Sequence, residues 1–117
     1  MVNTDWNEYV EAIHRRYLEL RRSHPDVLNG YTKMAVSAIE EDELSSKVKE
    51  LIALGIAIAL RCDECLAFHT KEAIATGVTR EEFVEMIGVA VYMGGGPSAN
   101  YGAKALEIFD KLGGKEG

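Results

Sequence analysis

An all-α domain of about six helices is the fold class this sequence predicts. Apolar residues recur at helical spacing through most of the chain, and the stretches between them begin with capping residues or proline and end at glycine or a charged cluster. No window sustains period-two alternation with β-branched enrichment, and no spacer has hairpin character. With 117 residues and 47% hydrophobic content, the chain has the length of one domain and the apolar material for a core, so residues 1–117 read as a single domain.

Thr4 is expected to cap a first helix reaching about Arg22, with Trp6, Tyr9, Val10, Ile13, Tyr17, Leu18 and Leu20 as its apolar stripe. Ser23-His24-Pro25-Asp26 interrupts it, because the residue before a proline is steered out of the helical region while proline suits a first turn. A second helix from Pro25 carries Val27, Leu28, Tyr31, Met34, Ala35 and Ile39 and ends in the acidic cluster Glu40 to Glu43. Ser45 offers the next cap. From Ser46 to about Leu60 the apolar residues stop alternating with polar ones, which predicts a central helix covered on nearly all sides.

Arg61 to Asp63 marks a boundary before a helix over Glu64 to Thr76, closed by Gly77. Thr79 and Glu82 form a capping box for a helix reaching Tyr92 or Met93, with Phe83, Val84, Met86, Ile87 and Val91. Gly94, Gly95 and Gly96 break the chain, as a hinge by the simplest reading and otherwise as a place of close backbone packing or a floor for ligand, and Pro97 opens a last helix through Tyr101, Ala105, Leu106, Ile108, Phe109 and Leu112. The tail Gly113 to Gly117 is expected to fray. So apolar a central helix is hard to cover with five neighbours from one short chain, which predicts a homo-oligomer.

A formal net charge of -6 would repel a phosphate backbone, so nucleic acid is a poor partner. Leu51 to Leu60, the longest apolar run, falls short of the roughly 18 residues of a membrane span, so no membrane association is expected. No secretory pattern opens the sequence, and the expected address is cytoplasmic.

The 2 cysteines, Cys62 and Cys65, enclose too small a loop to staple a fold. In a reducing compartment such a pair points to redox chemistry or metal binding. Cys65 and His69 are one helical turn apart on the same face, so the imidazole can take the thiol proton and Cys65 becomes a candidate nucleophile. Cys62, near the helix N-terminus, is the natural partner thiol and gains from the positive end of the helix dipole. Asp63 and Glu64 work against this, since carboxylates beside thiols oppose thiolate formation. Glu50, at the entrance of the most apolar helix, would need a partner if it faced the interior, and His69 suits that role, which gives a Glu50–His69 relay.

Blander readings exist for each residue: buried structural thiols for the pair, an ordinary helix histidine for His69, a solvated glutamate for Glu50. Two thiolates, an imidazole and a carboxylate could also serve as zinc ligands, making Cys62, Cys65, His69 and Glu50 a metal- or ligand-holding module. Structural zinc sites usually draw on two separated pairs, however, and here three of the four candidates fall within one short segment. A further alternative keeps the thiols as a redox sensor without turnover.

The Glu-x11-Cys-x2-Cys-x3-His pattern, followed by the helix Thr79 to Met93 and by Gly94-Gly95-Gly96-Pro97, resembles the carboxymuconolactone decarboxylase family in its alkylhydroperoxidase D-like (AhpD-like) branch, over roughly Met34 to Leu112. The resemblance implies an all-helical fold assembling into trimers or hexamers, and a peroxidase whose second motif cysteine becomes a sulfenic acid. That role falls on Cys65. It implies a proton-donating and resolving thiol at Cys62 and a proton relay at Glu50 and His69. A peroxidase cycle through these thiols takes a hydroperoxide as substrate and needs an external dithiol to reset it, and neither a cofactor nor a bound metal is expected. Lactone decarboxylation is not expected, because the sister members with that activity lack the two-cysteine motif.

Overall fold

Six helices make up the described part of the chain, residues 3–113 of the computed structural model. They are α1 (Trp6–Ser23), α2 (Pro25–Ile39), α3 (Ser46–Leu60), α4 (Asp63–Ala75), α5 (Arg80–Gly94) and α6 (Gly96–Lys111). There is no strand among the described residues, and the all-α class holds. Of the tail expected to fray, residues 114–117 lie outside the described residues.

Most boundaries follow the local chemistry already identified. His24 alone separates α1 from α2, and Pro25 occupies the first helical turn. Ser45 caps α3 by accepting from Val48 N–H. Thr79 and Glu82 form both halves of the capping box on α5. Two expectations need correction. Asp5, not Thr4, caps α1, accepting from Glu8 N–H at 3.1 Å; both types suit the position, and the register of the first turn decided between them. The glycine triplet is not a three-residue hinge, since α5 runs through Gly94 and α6 starts at Gly96. Gly95 alone stands between them, at φ +71°, where a side chain would be strained.

The core lies where α3, α4, α5 and α6 meet, with α1 laid across α4. Leu54, Ile58, Leu66, Phe83, Ile108 and Phe109 are fully buried there, and the Phe83 and Phe109 rings pack at 4.6 Å between centroids. α5 and α6 approach closely because Gly102 has no side chain: a Cβ there would come within 2.5 Å of Ile87 Cγ2. Arg80 fastens the far ends of the same two helices by pairing bidentately with Asp110, at 2.9 and 3.1 Å. This pairing holds the Asp110 carboxyl below its ordinary range.

Within one chain α3 is not covered on nearly all sides. Glu50, Leu54, Ala57 and Ile58 are buried, but Ile52, Ile56 and Leu60 on its other side are about half exposed or more. α2 has no buried residue at all, and Val27, Tyr31, Met34 and Val36 stand in the open. Burial in a single chain reaches only the inner stripes of these helices because α2 packs mainly on α1 and only lightly on α3, leaving the outer face of α3 open. Among the described residues no helix is long and apolar enough to cross a membrane.

One core group is out of balance with its surroundings. Thr70 on α4 is fully buried and its Oγ1 has no hydrogen-bond partner among the described residues. A hydroxyl stripped of water and left unpaired costs stability. Thr70→Val, nearly the same shape without the hydroxyl, is expected to raise unfolding stability by about 1 kcal/mol, read by urea denaturation. Lower stability would mean that the hydroxyl is paired.

Candidate active site

The α3–α4 turn assembles the site. Arg61, the sole non-glycine residue at positive φ among those described, ends α3 in a left-handed conformation (φ 55°), its N–H bonding to the Ala57 and Ile58 carbonyls. The chain thereby reverses within two residues and lays α4 back along α3, since Cys62 N–H also returns to Ala57 O. Every site residue predicted from the sequence lies on these two helices or in the turn between them.

Cys62 is the N-cap of α4: its Sγ accepts the backbone N–H of Cys65 at 3.1 Å. Such a position favours negative charge on that sulfur, through the hydrogen bond and through the positive end of the helix dipole. Cys62 and Cys65 are joined as a disulfide, with Cα atoms 5.2 Å apart, inside the range that bridging requires. Both cysteines are half-buried, and Cys65 packs against the core.

Glu50 lies on the buried stripe of α3 with Leu54, Ala57 and Ile58, spaced i, i+4, i+7 and i+8. It is 3% exposed, so the bland expectation of a solvated helix glutamate does not hold. Its Oε1 stands 2.7 Å from His69 Nδ1. His69 comes from α4, one turn beyond Cys65 and on the same side, and its ring meets Phe68 edge to face at 5.0 Å. With Glu50 as a carboxylate, Nδ1–H donates to it and Nε2 is left as the accepting nitrogen. A buried carboxylate thus fixes the ring and gives it a basic nitrogen, which is the equipment a general base needs.

The four predicted residues form two pairs rather than one donor set. Cys62 and Cys65 are bonded to each other, Glu50 and His69 hydrogen-bond, and no group of three or more His, Cys, Asp or Glu side chains converges for a metal among the described residues.

Two further side chains interact with the acidic residues between the cysteines without having been anticipated. Lys104 of α6 pairs with Asp63 at 3.1 Å and lies 4.6 Å over the Tyr101 ring. Tyr9 of α1 also lies close to this turn. Burial pushes its hydroxyl above the ordinary value, and the Glu64 and Asp63 carboxylates push the same way, with Arg16 partly opposing. Neither residue carries a local signal, because each reaches the motif across tens of residues of chain.

Comparison with known proteins agrees with this architecture. The family model described as "Carboxymuconolactone decarboxylase family" matches residues 25–107. An uncharacterized protein of Cupriavidus necator is 35% identical over 111 residues, spanning 95% of this chain and 98% of that protein. An uncharacterized protein of Haemophilus influenzae is 31% identical over 106 residues, 91% of this chain and 94% of its own. Among solved structures, the apo form of a carboxymuconolactone decarboxylase family protein from Legionella pneumophila superposes with a TM-score of 0.89 at 37% identity, covering 93% of this chain and 98% of that one. With a family match that runs from α2 well into α6, over more than half of its length, the chain belongs to the carboxymuconolactone decarboxylase family.

Proposed function

We propose that this protein is a thiol-dependent peroxidase of the AhpD-like branch, a disulfide oxidoreductase that reduces hydroperoxides with Cys65 and Cys62. The observation that carries this reading is a bondable cysteine pair at the start of α4, with His69 one turn along the same helix and hydrogen-bonded to the buried Glu50 of α3. Family membership supports an enzyme and is compatible with this one.

In the cycle, His69 takes the Cys65 thiol proton, and the thiolate attacks one oxygen of the hydroperoxide. The O–O bond breaks, Cys65 becomes a sulfenic acid, and the alcohol leaves with a proton. The Cys62 sulfur then attacks the Cys65 sulfur, forming the disulfide and releasing water. An external dithiol returns the two electrons: it opens the disulfide through a mixed disulfide and leaves as its own disulfide. No cofactor enters any step. Such a cycle suits a reducing, cytoplasmic setting, where dithiol reductants are at hand.

The test is mass spectrometric. Reduced protein treated with one equivalent of hydroperoxide is expected to lose both thiols and gain an intramolecular Cys62–Cys65 bond. Thiols that survive peroxide, or steady-state kinetics showing no turnover with dithiol present, would sink the proposal, the second outcome in favour of a redox sensor.

A homo-oligomer, a trimer or hexamer as the family resemblance implies, belongs to the same proposal. Val48, Ile52 and Ile56 of α3 face Val89 and Met93 of α5 across an open groove of about 820 Å³, and Met93 is 77% exposed. An apolar surface so continuous calls for cover, and a second copy supplies it. Light scattering at micromolar concentration is expected to give a multiple of 12.9 kDa, with Ile56→Lys lowering it. A parent protein of monomeric mass would refute the assembly.

A further inference from the structure

The two carboxylates between the cysteines pose a problem for any thiol chemistry at this site. Asp63 and Glu64 occupy the first turn of α4, where acidic residues suit the helix dipole. Yet they are the chain neighbours of the two cysteines, on whose sulfurs negative charge must form whenever the disulfide opens. α6 supplies a remedy for one of them. Lys104 Nζ reaches Asp63 Oδ1 at 3.1 Å, from a residue 41 positions away in sequence. Its side chain is 31% exposed and that of Asp63 25%, so the pair is only partly screened by water.

The ammonium is also held over the Tyr101 ring at 4.6 Å, which fixes it on its own helix before it meets Asp63. The remaining charged and titratable groups around this turn come from every neighbouring element: Tyr9 and Arg16 from α1, Glu50 from α3 through its bond to His69, and Glu64 on α4 itself. Arg61, next to Cys62 in the chain, is exposed.

We propose that Lys104 is a positioning residue for the cysteine pair: by holding Asp63 it cancels the carboxylate adjacent to Cys62 and so sets how readily the Cys62–Cys65 disulfide accepts electrons. The inference rests on the redox reading of the pair. When an external thiolate attacks Cys65 Sγ, the S–S bond breaks and its electron pair goes to Cys62 Sγ, the sulfur that accepts Cys65 N–H. Charge arriving there feels the helix end in its favour and Asp63 against it. Lys104 removes the second effect. The reductant is oxidised to its disulfide and the protein is reduced to thiolate and thiol, so no other reactant is needed.

The sign of each substitution follows. Without the ammonium, Asp63 opposes the thiolate and the disulfide is favoured. Without the carboxylate, the ammonium assists the thiolate and the dithiol is favoured. The experiment equilibrates purified full-length protein in dithiothreitol redox buffers and reads the fraction reduced.

Lys104→Met is expected to shift the equilibrium about tenfold toward the disulfide, ~30 mV for a two-electron couple. Lys104→Arg is expected to restore the parent value, and Asp63→Asn to shift it in the opposite direction. The double variant is expected to fall near the parent. Unchanged potentials in Lys104→Met, or Asp63→Asn moving the same way as Lys104→Met, would overturn the proposal. Asp63→Asn decides alone if Lys104→Met fails to fold, since asparagine is tolerated at a helix start. If the parent pair does not titrate at all, the peroxidase reading fails instead, which keeps the two failures apart.

Discussion

Cys65→Ser protein is expected to consume hydroperoxide at the background rate, a loss of about a thousandfold or more. A serine hydroxyl at that position has the same neighbours but is far less acidic than a thiol and a far poorer nucleophile toward the O–O bond. Cys62→Ser separates the two thiols. It is expected to react once with peroxide, hold the oxidised state as a sulfenic acid at Cys65, and then stop, because no sulfur is present to close the bond. Stopped-flow peroxide consumption, combined with dimedone labelling of the oxidised product, distinguishes these outcomes. Full activity in Cys65→Ser would remove the basis of the mechanism. The roles would be exchanged if Cys62→Ser proved inert while Cys65→Ser turned over once.

The second large effect belongs to Glu50. Glu50→Gln keeps the volume and a hydrogen-bond acceptor for His69 Nδ1–H, so the protein is expected to fold with little change in melting temperature. What it removes is the negative charge that stabilises the imidazolium once His69 has taken a proton. Proton transfer by a positioned base is worth about a hundredfold or more, and a loss of that order in turnover is expected. His69→Gln should lose as much, and the double variant little more, because the two residues act as one unit. Additive losses in the double variant would show that they act separately.

Much of this molecule is legible in its sequence because the deciding physics is local. Pro25, Ser45 and the Thr79–Glu82 box mark helix ends through bonds made within one turn, and all three operate as expected. Local rules were insufficient where two neighbours compete for one role. Thr4 and Asp5 both suit a cap, and the first-turn register selects Asp5. Three consecutive glycines suggest a flexible break, yet Ser98 Oγ would lie 2.0 Å from a Cβ at Gly94, so that glycine serves helix packing while Gly95 makes the turn.

The candidate site divides in the same way. Cys62, Cys65 and His69 lie within one helix and its cap, so their spacing alone brings them to one side. Glu50 was legible only from its place at the entrance of the most apolar helix and from its spacing to the cysteines, and its 2.7 Å bond to His69 depends on how tightly Arg61 folds α4 back on α3. Lys104 was not legible at all, because nothing in the order of residues along α6 foretells which carboxylate on α4 its ammonium will meet.

By itself, then, the sequence determined the six helices, most of their ends and the spacing of two thiols and an imidazole, since hydrogen bonds and side-chain periodicity act over a turn or two. Only the tertiary structure decided that Glu50 is buried against His69, that Lys104 stands on Asp63, and that a face of α3 is left open. Those facts depend on the angles and distances at which helices pack, and these emerge from the whole core rather than from any one segment.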